Sequence, residues 1–179
     1  YATAGAQCIQ LEDQVSPKRC GHMEGKEVVS LEDAALKIEA AVSSRPNDDF
    51  LIMARTDARA THDLSEALDR GEAFLRAGAD ILFIEAPRSV EELKKIRSTF
   101  PDIPLVANMV EDGKTPLLSL DELDSLGYQI VLRPVSALLA VTYCLQQSYA
   151  SLRQTGALNA DSGRLTFAEF NQFVGLNNE

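Results

Sequence analysis

The chain has 179 residues, 45% of them hydrophobic, and 27 acidic against 17 basic side chains give a formal net charge of −10. That size and composition suit a soluble globular domain with a real core. The acidic balance argues against a nucleic-acid partner, which needs a basic face, and the absence of 18 consecutive apolar residues argues against a membrane span.

Short apolar runs alternate with amphipathic stretches along the chain. The first run, at 6–12, reads AQCIQLE. A long polar loop follows at about 13–29, and a helix is expected from Leu31, capped by Ser30, with Leu31, Ala35, Ile38 and Val42 on one face. The second run is FLIMART at 50–56, and a helix over 63–77 ends at Gly78. ILFIEA at 81–86 precedes a helix at 89–99, and PLVANM at 104–109 precedes a short one at 120–126. YQIVLRP at 128–134 leads into a long helix at 136–154, and Thr166 caps a last short helix at 166–174. The runs are near-continuously apolar, as parallel strands buried on both faces require. Strand and helix alternate five times, which predicts an α/β fold with a parallel sheet.

An internal echo adds to this. AGAQCIQLED at 4–13 matches AGADILFIEA at 77–86 in shape, each with Ala-Gly-Ala closing a helix ahead of an apolar run and a glutamate. The first copy would need a helix ending at Ala4–Gly5, with only three residues before it. We therefore expect the C-terminal five βα units of an eight-stranded (β/α)8 barrel of the TIM type, with the N-terminal strands missing. A complete barrel takes about 250 residues. The expected division is a partial barrel at 1–160 and a helical segment at 161–179. An open doubly wound sheet is the alternative, though no glycine-rich phosphate fingerprint follows the first strand.

Each run ends in an ionisable or amide group: Glu12 and Asp13, Arg55 and Asp57, Glu85, Asn108 with Glu111 beyond it, and Arg133. The carboxyl ends of parallel barrel strands open on one rim, where the active site lies. Any one such residue could simply begin a loop; five together point to a shared site. The loop at 13–29 carries Lys18, Arg19, Cys20, His22 and Lys26, with Gly21 and Gly25 as hinge-like residues. A thiol among cations is more reactive than a buried one, and His22 could exchange its proton. The bland alternative is a solvated loop with an incidental thiol. Cys8 and Cys144 lie in apolar patterns and are expected to be core thiols. Three cysteines without metal-knuckle spacing predict a reducing, cytoplasmic compartment. His62 is expected at the surface or as a cap. Phe74, Phe83, Tyr143 and Tyr149 are expected in the core.

The stretches LEDQVSPKRCGHMEGKEVVS, MARTDARAT, FIEAPRS, VANMVEDGKTPL and FAEFNQFVGL together resemble the isocitrate lyase and phosphoenolpyruvate mutase superfamily, nearest its methylisocitrate lyase-like and dimethylmalate lyase-like branch. The Lys-Arg-Cys-Gly-His loop is the most specific element of the resemblance. It implies a (β/α)8 barrel that forms homo-oligomers (tetramers) by exchanging a C-terminal helix, and a Mg2+ (or Mn2+) cofactor. It implies a small di- or tricarboxylate or 2-keto acid as substrate, and carbon–carbon cleavage by retro-aldol chemistry. By the same resemblance Cys20 is the general acid, accompanied by Lys18, Gly21 and His22. Glu12 meets the metal through water, and the main Asp ligands are absent from this chain. Arg55 grips a substrate carboxylate, and Glu85 and Asn108 orient substrate and loop. Gln10 stands where some lyases have histidine. Two other readings stay open: a carboxyphosphonoenolpyruvate mutase-like or oxaloacetate hydrolase-like activity, and an incomplete, non-catalytic barrel that needs a partner chain.

Overall fold

The computed structural model describes residues 1–19, 25–158 and 163–176. They fall into two compact units, Tyr1–Pro134 and Val135–Glu179.

The first unit is built on strands β1 (Cys8–Glu12), β2 (Leu51–Thr56), β3 (Ile81–Ile84), β4 (Val106–Asn108) and β5 (Ile130–Leu132). Strands β1, β2 and β3 pair in parallel, as do β4 and β5, and a parallel bridge from Leu82 to Leu105 joins the two sets. All five expected strands are present and all pairs are parallel, which is the architecture of part of a (β/α) barrel. Between them run α1 (Leu31–Ser44), α2 (Ala58–Thr61), α3 (Leu64–Arg76), α4 (Val90–Thr99) and α5 (Leu120–Ser125). The short α2 was not legible in the sequence, because four residues carry no periodicity.

Local chemistry starts each helix. Ser30, Asp63, Ser89 and Ser119 cap α1, α3, α4 and α5, each accepting a hydrogen bond from the backbone N–H three residues on; such a cap contributes about 1 kcal/mol. Ser119 and Glu122 complete a reciprocal capping box. Gly78, at φ +96°, ends α3 and turns the chain into β3, and Gly5 does the same before β1 at φ +90°, so both halves of the echo share one turn geometry. Gly71 has a different reason: a Cβ there would meet Phe100 at 2.7 Å, so α3 can approach only without a side chain.

Side chains alternate across the strands and make two apolar layers. The outward set (Ile52, Ala54, Leu82, Ile84, Leu105, Ala107) packs against Ile38, Ala67, Phe74, Leu93 and Ile96 of the helices. The inward set (Ile81, Phe83 and Val106, with Cys8, Leu51, Met53, Ile130 and Leu132 partly buried) is smaller.

The second unit holds α6 (Ser136–Thr155) and α7 (Phe167–Phe173), the latter opened by a Thr166–Glu169 capping box. Neither helix has a buried residue among those described. Tyr143, Tyr149 and Cys144 are therefore exposed, and Cys8 is only half-buried, against the expectation of core positions. Apolar periodicity identified the helix but not what covers it. No helix among the described residues is long and apolar enough to cross a membrane.

A buried ionic cluster locks the unit beneath its strand tips. Asp13, 1% exposed, accepts hydrogen bonds from Thr56 Oγ1 at 2.6 Å, from the Asp57 N–H at 2.9 Å and from Arg70 Nη1 at 3.1 Å. The same Arg70 nitrogen donates to the Val29 carbonyl at 2.9 Å. Arg70→Met would strand the Asp13 charge, and we expect a loss of about 3–5 kcal/mol, read as a lowered urea midpoint. A second ion pair ties α2 to α4: Arg59 grips Glu92 through Nε and Nη2 at 2.8 and 2.6 Å. The bond to Arg59 holds the Glu92 carboxyl below its ordinary pKa despite partial burial. This stabilisation is complete above the unfolded carboxyl range and is lost as pH falls through the depressed folded pKa. We expect Glu92→Gln to flatten the acid limb of stability against pH, measured by urea unfolding between neutral and acid pH.

Candidate active site

Period two places the polar strand tips. Glu12 ends β1 and is the parallel register partner of Arg55 on β2, and Arg55 is in turn the partner of Phe83 on β3. Two residues beyond Phe83 on the same face comes Glu85, and two beyond Val106 on β4 comes Asn108. Because alternate residues share a face, the pattern that turns Met53, Phe83 and Val106 inward delivers Arg55, Glu85 and Asn108 to one mouth.

The contacts bear this out. Arg55 Nε lies 3.2 Å from Glu12 Oε2 and 2.9 Å from Asp57 Oδ2. Its Nη2 donates to Asp57 Oδ1 at 3.2 Å and stands 3.7 Å from Glu85 Oε2. The guanidinium also sits 5.0 Å from the Phe83 ring centroid, a cation–π distance. Burial alone would lower the Arg55 pKa, but the hydrogen bond to Asp57 and the charges of Glu85, Asp57 and Glu12 raise it above its ordinary value. Asn108 directs its Nδ2 between the two Glu85 oxygens at 3.3 Å each, and among the described residues its buried Oδ1 has no hydrogen-bond partner. An unmet buried acceptor calls for a donor, and a substrate hydroxyl is one. Behind Glu85, Ala86 is held at φ +56° while 1% exposed. That left-handed conformation costs a non-glycine residue about 1–2 kcal/mol, and it sits where the chain leaves β3 and Glu85 is aimed.

The loop after β1 is closed at its base. Val15 N–H donates to the Glu27 carbonyl and Val29 N–H to the Asp13 carbonyl, both at 2.9 Å. The Gln14 amide pairs reciprocally with the backbone of Arg19, donating to its O and accepting from its N–H at 2.9 Å each. This arm sets Lys18, whose Nζ lies 3.0 Å from Glu12 Oε1. From the other arm Lys26, its side chain 2% exposed, reaches Asp57 Oδ1 at 3.2 Å.

Of the expected site residues, Glu12, Lys18, Arg55, Glu85 and Asn108 thus come together. Cys20, Gly21 and His22 lie outside the described residues. Arg133 does not join: it is exposed and its Nη2 donates to the Leu118 carbonyl at 3.0 Å. Ile130 and Leu132 take the inward positions of β5, so the alternation turns Arg133 away. His62 is exposed and pairs with the Thr61 hydroxyl at 2.8 Å. Two cations of the basic loop are matched by acids of the mouth, Lys18 by Glu12 and Lys26 by Asp57. The roles of Asp13 and Arg70 were missed. Their trace was a charge at position 70 on the buried face of α3, beside Ala67, Gly71 and Phe74.

A divalent cation needs several oxygen or nitrogen donors grouped around one point. Among the described residues no three His, Cys, Asp or Glu side chains are grouped to hold a metal. Both Glu12 oxygens already face cations, Lys18 and Arg55. These residues do not by themselves fit a metal centre.

Comparison with known proteins places the geometry. The family model for phosphoenolpyruvate phosphomutase matches residues 1–153. The chain is 51% identical over 178 residues to the 2,3-dimethylmalate lyase of Eubacterium barkeri, covering 98% of this chain and 61% of that protein. The solved structure of oxaloacetate acetylhydrolase in complex with 3,3-difluorooxalacetate superposes with a TM-score of 0.90 at 32% identity, over 99% of this chain and 60% of that one. Phosphonopyruvate hydrolase, solved in complex with oxalate and Mg2+, superposes at 0.78 with 28% identity over 99% of this chain and 62% of that one. The chain thus spans about three-fifths of the length of these proteins. With the family model matching residues 1–153 and parallel strands throughout the first unit, the chain belongs to the phosphoenolpyruvate mutase and isocitrate lyase superfamily.

Proposed function

We propose that this chain carries the substrate-gripping part of a carbon–carbon lyase that cleaves a 2-hydroxy polycarboxylate of the dimethylmalate or methylisocitrate type. The observation that carries the reading is Arg55, held at the strand mouth between carboxylates with its side chain 13% exposed. A guanidinium so fixed presents a planar fork to a substrate carboxylate. Asn108 Oδ1, unmet among the described residues, can accept a hydrogen bond from the substrate hydroxyl, and Glu85 fixes the orientation of Asn108.

In the proposed reaction a base takes the hydroxyl proton as the bond between the hydroxyl-bearing carbon and its neighbour breaks. A 2-keto acid results, and the electron pair stays on the neighbouring carbon, stabilised by its carboxylate. The Cys20 thiol gives its proton to that carbon. Lys18, Gly21 and His22 belong to the same loop, and exclusion of water by it would protect the carbanion. Arg55 supplies fixed positive charge where charge develops. Mg2+ remains part of the proposal through the resemblance and through the Mg2+ in the related hydrolase structure. The described residues do not form its site. The similarity to oxaloacetate acetylhydrolase favours one competing reading, hydrolysis of oxaloacetate, which product analysis separates from cleavage of a 2-hydroxy acid.

We also propose, as the resemblance implies, self-association through the C-terminal helix in the cytoplasm. The exposure of Phe167 at 80% and Phe173 at 81% supports it. Phe173→Asp should lower the molar mass measured by light scattering; an unchanged mass would count against this contact.

For the reaction, Cys20→Ser should abolish turnover of a 2,3-dialkylmalate while substrate binding persists; turnover at the wild-type rate would remove the thiol from the mechanism. Arg55→Lys keeps the charge but loses the fork. We expect kcat/KM to fall about a hundredfold or more, near 3 kcal/mol, and unchanged kinetics would dismiss the carboxylate clamp.

A further inference from the structure

Asp57 is an acid at the mouth that the proposed chemistry leaves without a task. It is completely buried and occupies the N-cap position of α2, yet its side chain makes no capping bond. Thr56 takes over that duty, its Oγ1 accepting from the Ala58 N–H at 3.1 Å. The Asp57 carboxylate is turned instead toward two cations. Arg55 reaches both of its oxygens, and Lys26 comes from the far arm of the loop to Oδ1 at 3.2 Å.

The charges explain why a second cation is needed. Arg55 faces Glu12, Asp57 and Glu85. Those three carboxylates would leave a strongly negative mouth, unfit for an anionic substrate. Lys18 on Glu12 and Lys26 on Asp57 bring the formal sum to zero. Lys18 is about half exposed, with 53% side-chain exposure, so water screens it, whereas Lys26 at 2% is not screened. Of the two lysines, Lys26 therefore has the stronger hold on the field at Arg55.

We propose that Lys26 is a positioning residue that shares the Asp57 carboxylate with Arg55, offsetting its charge so that the Arg55 guanidinium stays available to a substrate carboxylate. This rests on the reading of Arg55 as a carboxylate clamp and adds a requirement to it. Because Lys26 lies on the loop, the same contact ties the placing of the loop to the readiness of Arg55.

The test measures oxalate, a dianion, and glyoxylate, a monoanion, binding to the purified full-length protein in magnesium-containing buffer at low ionic strength. A charge acting through its field changes binding energy in proportion to ligand charge. Lys26→Met should weaken oxalate about tenfold and glyoxylate about threefold, and Lys26→Arg should restore both. Lys26→Met combined with Asp57→Asn removes the pair without changing the net charge and should bind oxalate more tightly than Lys26→Met alone. This double variant also covers the case in which Lys26→Met alone leaves Asp57 stranded and fails to fold. Equal losses for the two ligands, or a double variant as weak as the single one, would show a merely structural lysine and overturn the proposal. Failure of the wild-type protein to bind either anion would instead overturn the clamp itself, and this inference with it.

Discussion

The site depends on one geometric constraint, the parallel register that sets Glu12 beside Arg55. In a strand the side chains alternate, so a shift of one residue would send the whole charged set into the apolar layer beneath the helices. The register is held from both sides. Ile52, Ala54, Leu82 and Ile84 must face the helices, and Asp13, one residue past Glu12, must reach Thr56, one residue past Arg55. Packing and hydrogen bonding thus select the same alignment, and the charges at the mouth are its consequence.

Above that register the molecule assembles charge in matched pairs. The chain as a whole carries a formal charge of −10, while the described charges that meet at the mouth, Glu12, Lys18, Lys26, Arg55, Asp57 and Glu85, sum to zero. Neutrality is physically sensible there, since an unpaired buried charge is costly and an anion must approach without repulsion. Arg55 is the hub: a guanidinium has enough donors to serve carboxylates on several sides and still be presented by the Phe83 face.

The sequence was most legible where a pattern repeats. The five strands, the α1 and α3–α7 helices, and the caps at Ser30 and Thr166 were readable because apolar runs and capping chemistry are local. Glu12, Arg55, Glu85 and Asn108 could be read as a group because each lies at the end of a run. Arg133 could not be sorted from them, since only the phase of β5 decides its face, and a run apolar throughout gives no phase. Arg70 and Lys26 were hidden for another reason. Each acts through a partner distant in the chain, Asp13 and Asp57 respectively, and nothing local to a lysine or an arginine names its partner. Tyr143 and Tyr149 show the converse: an apolar stripe records that a face is to be covered, not by what.

The backbone at Ala86 carries a consequence for how such a protein can change over time. A glycine would relieve the backbone in that left-handed turn, directly beside Glu85. It would also slacken the peptide that orients the carboxylate between Arg55 and Asn108. Robustness and accuracy of aim therefore pull in opposite directions at a single methyl group, and alanine at this position is a compromise in favour of aim.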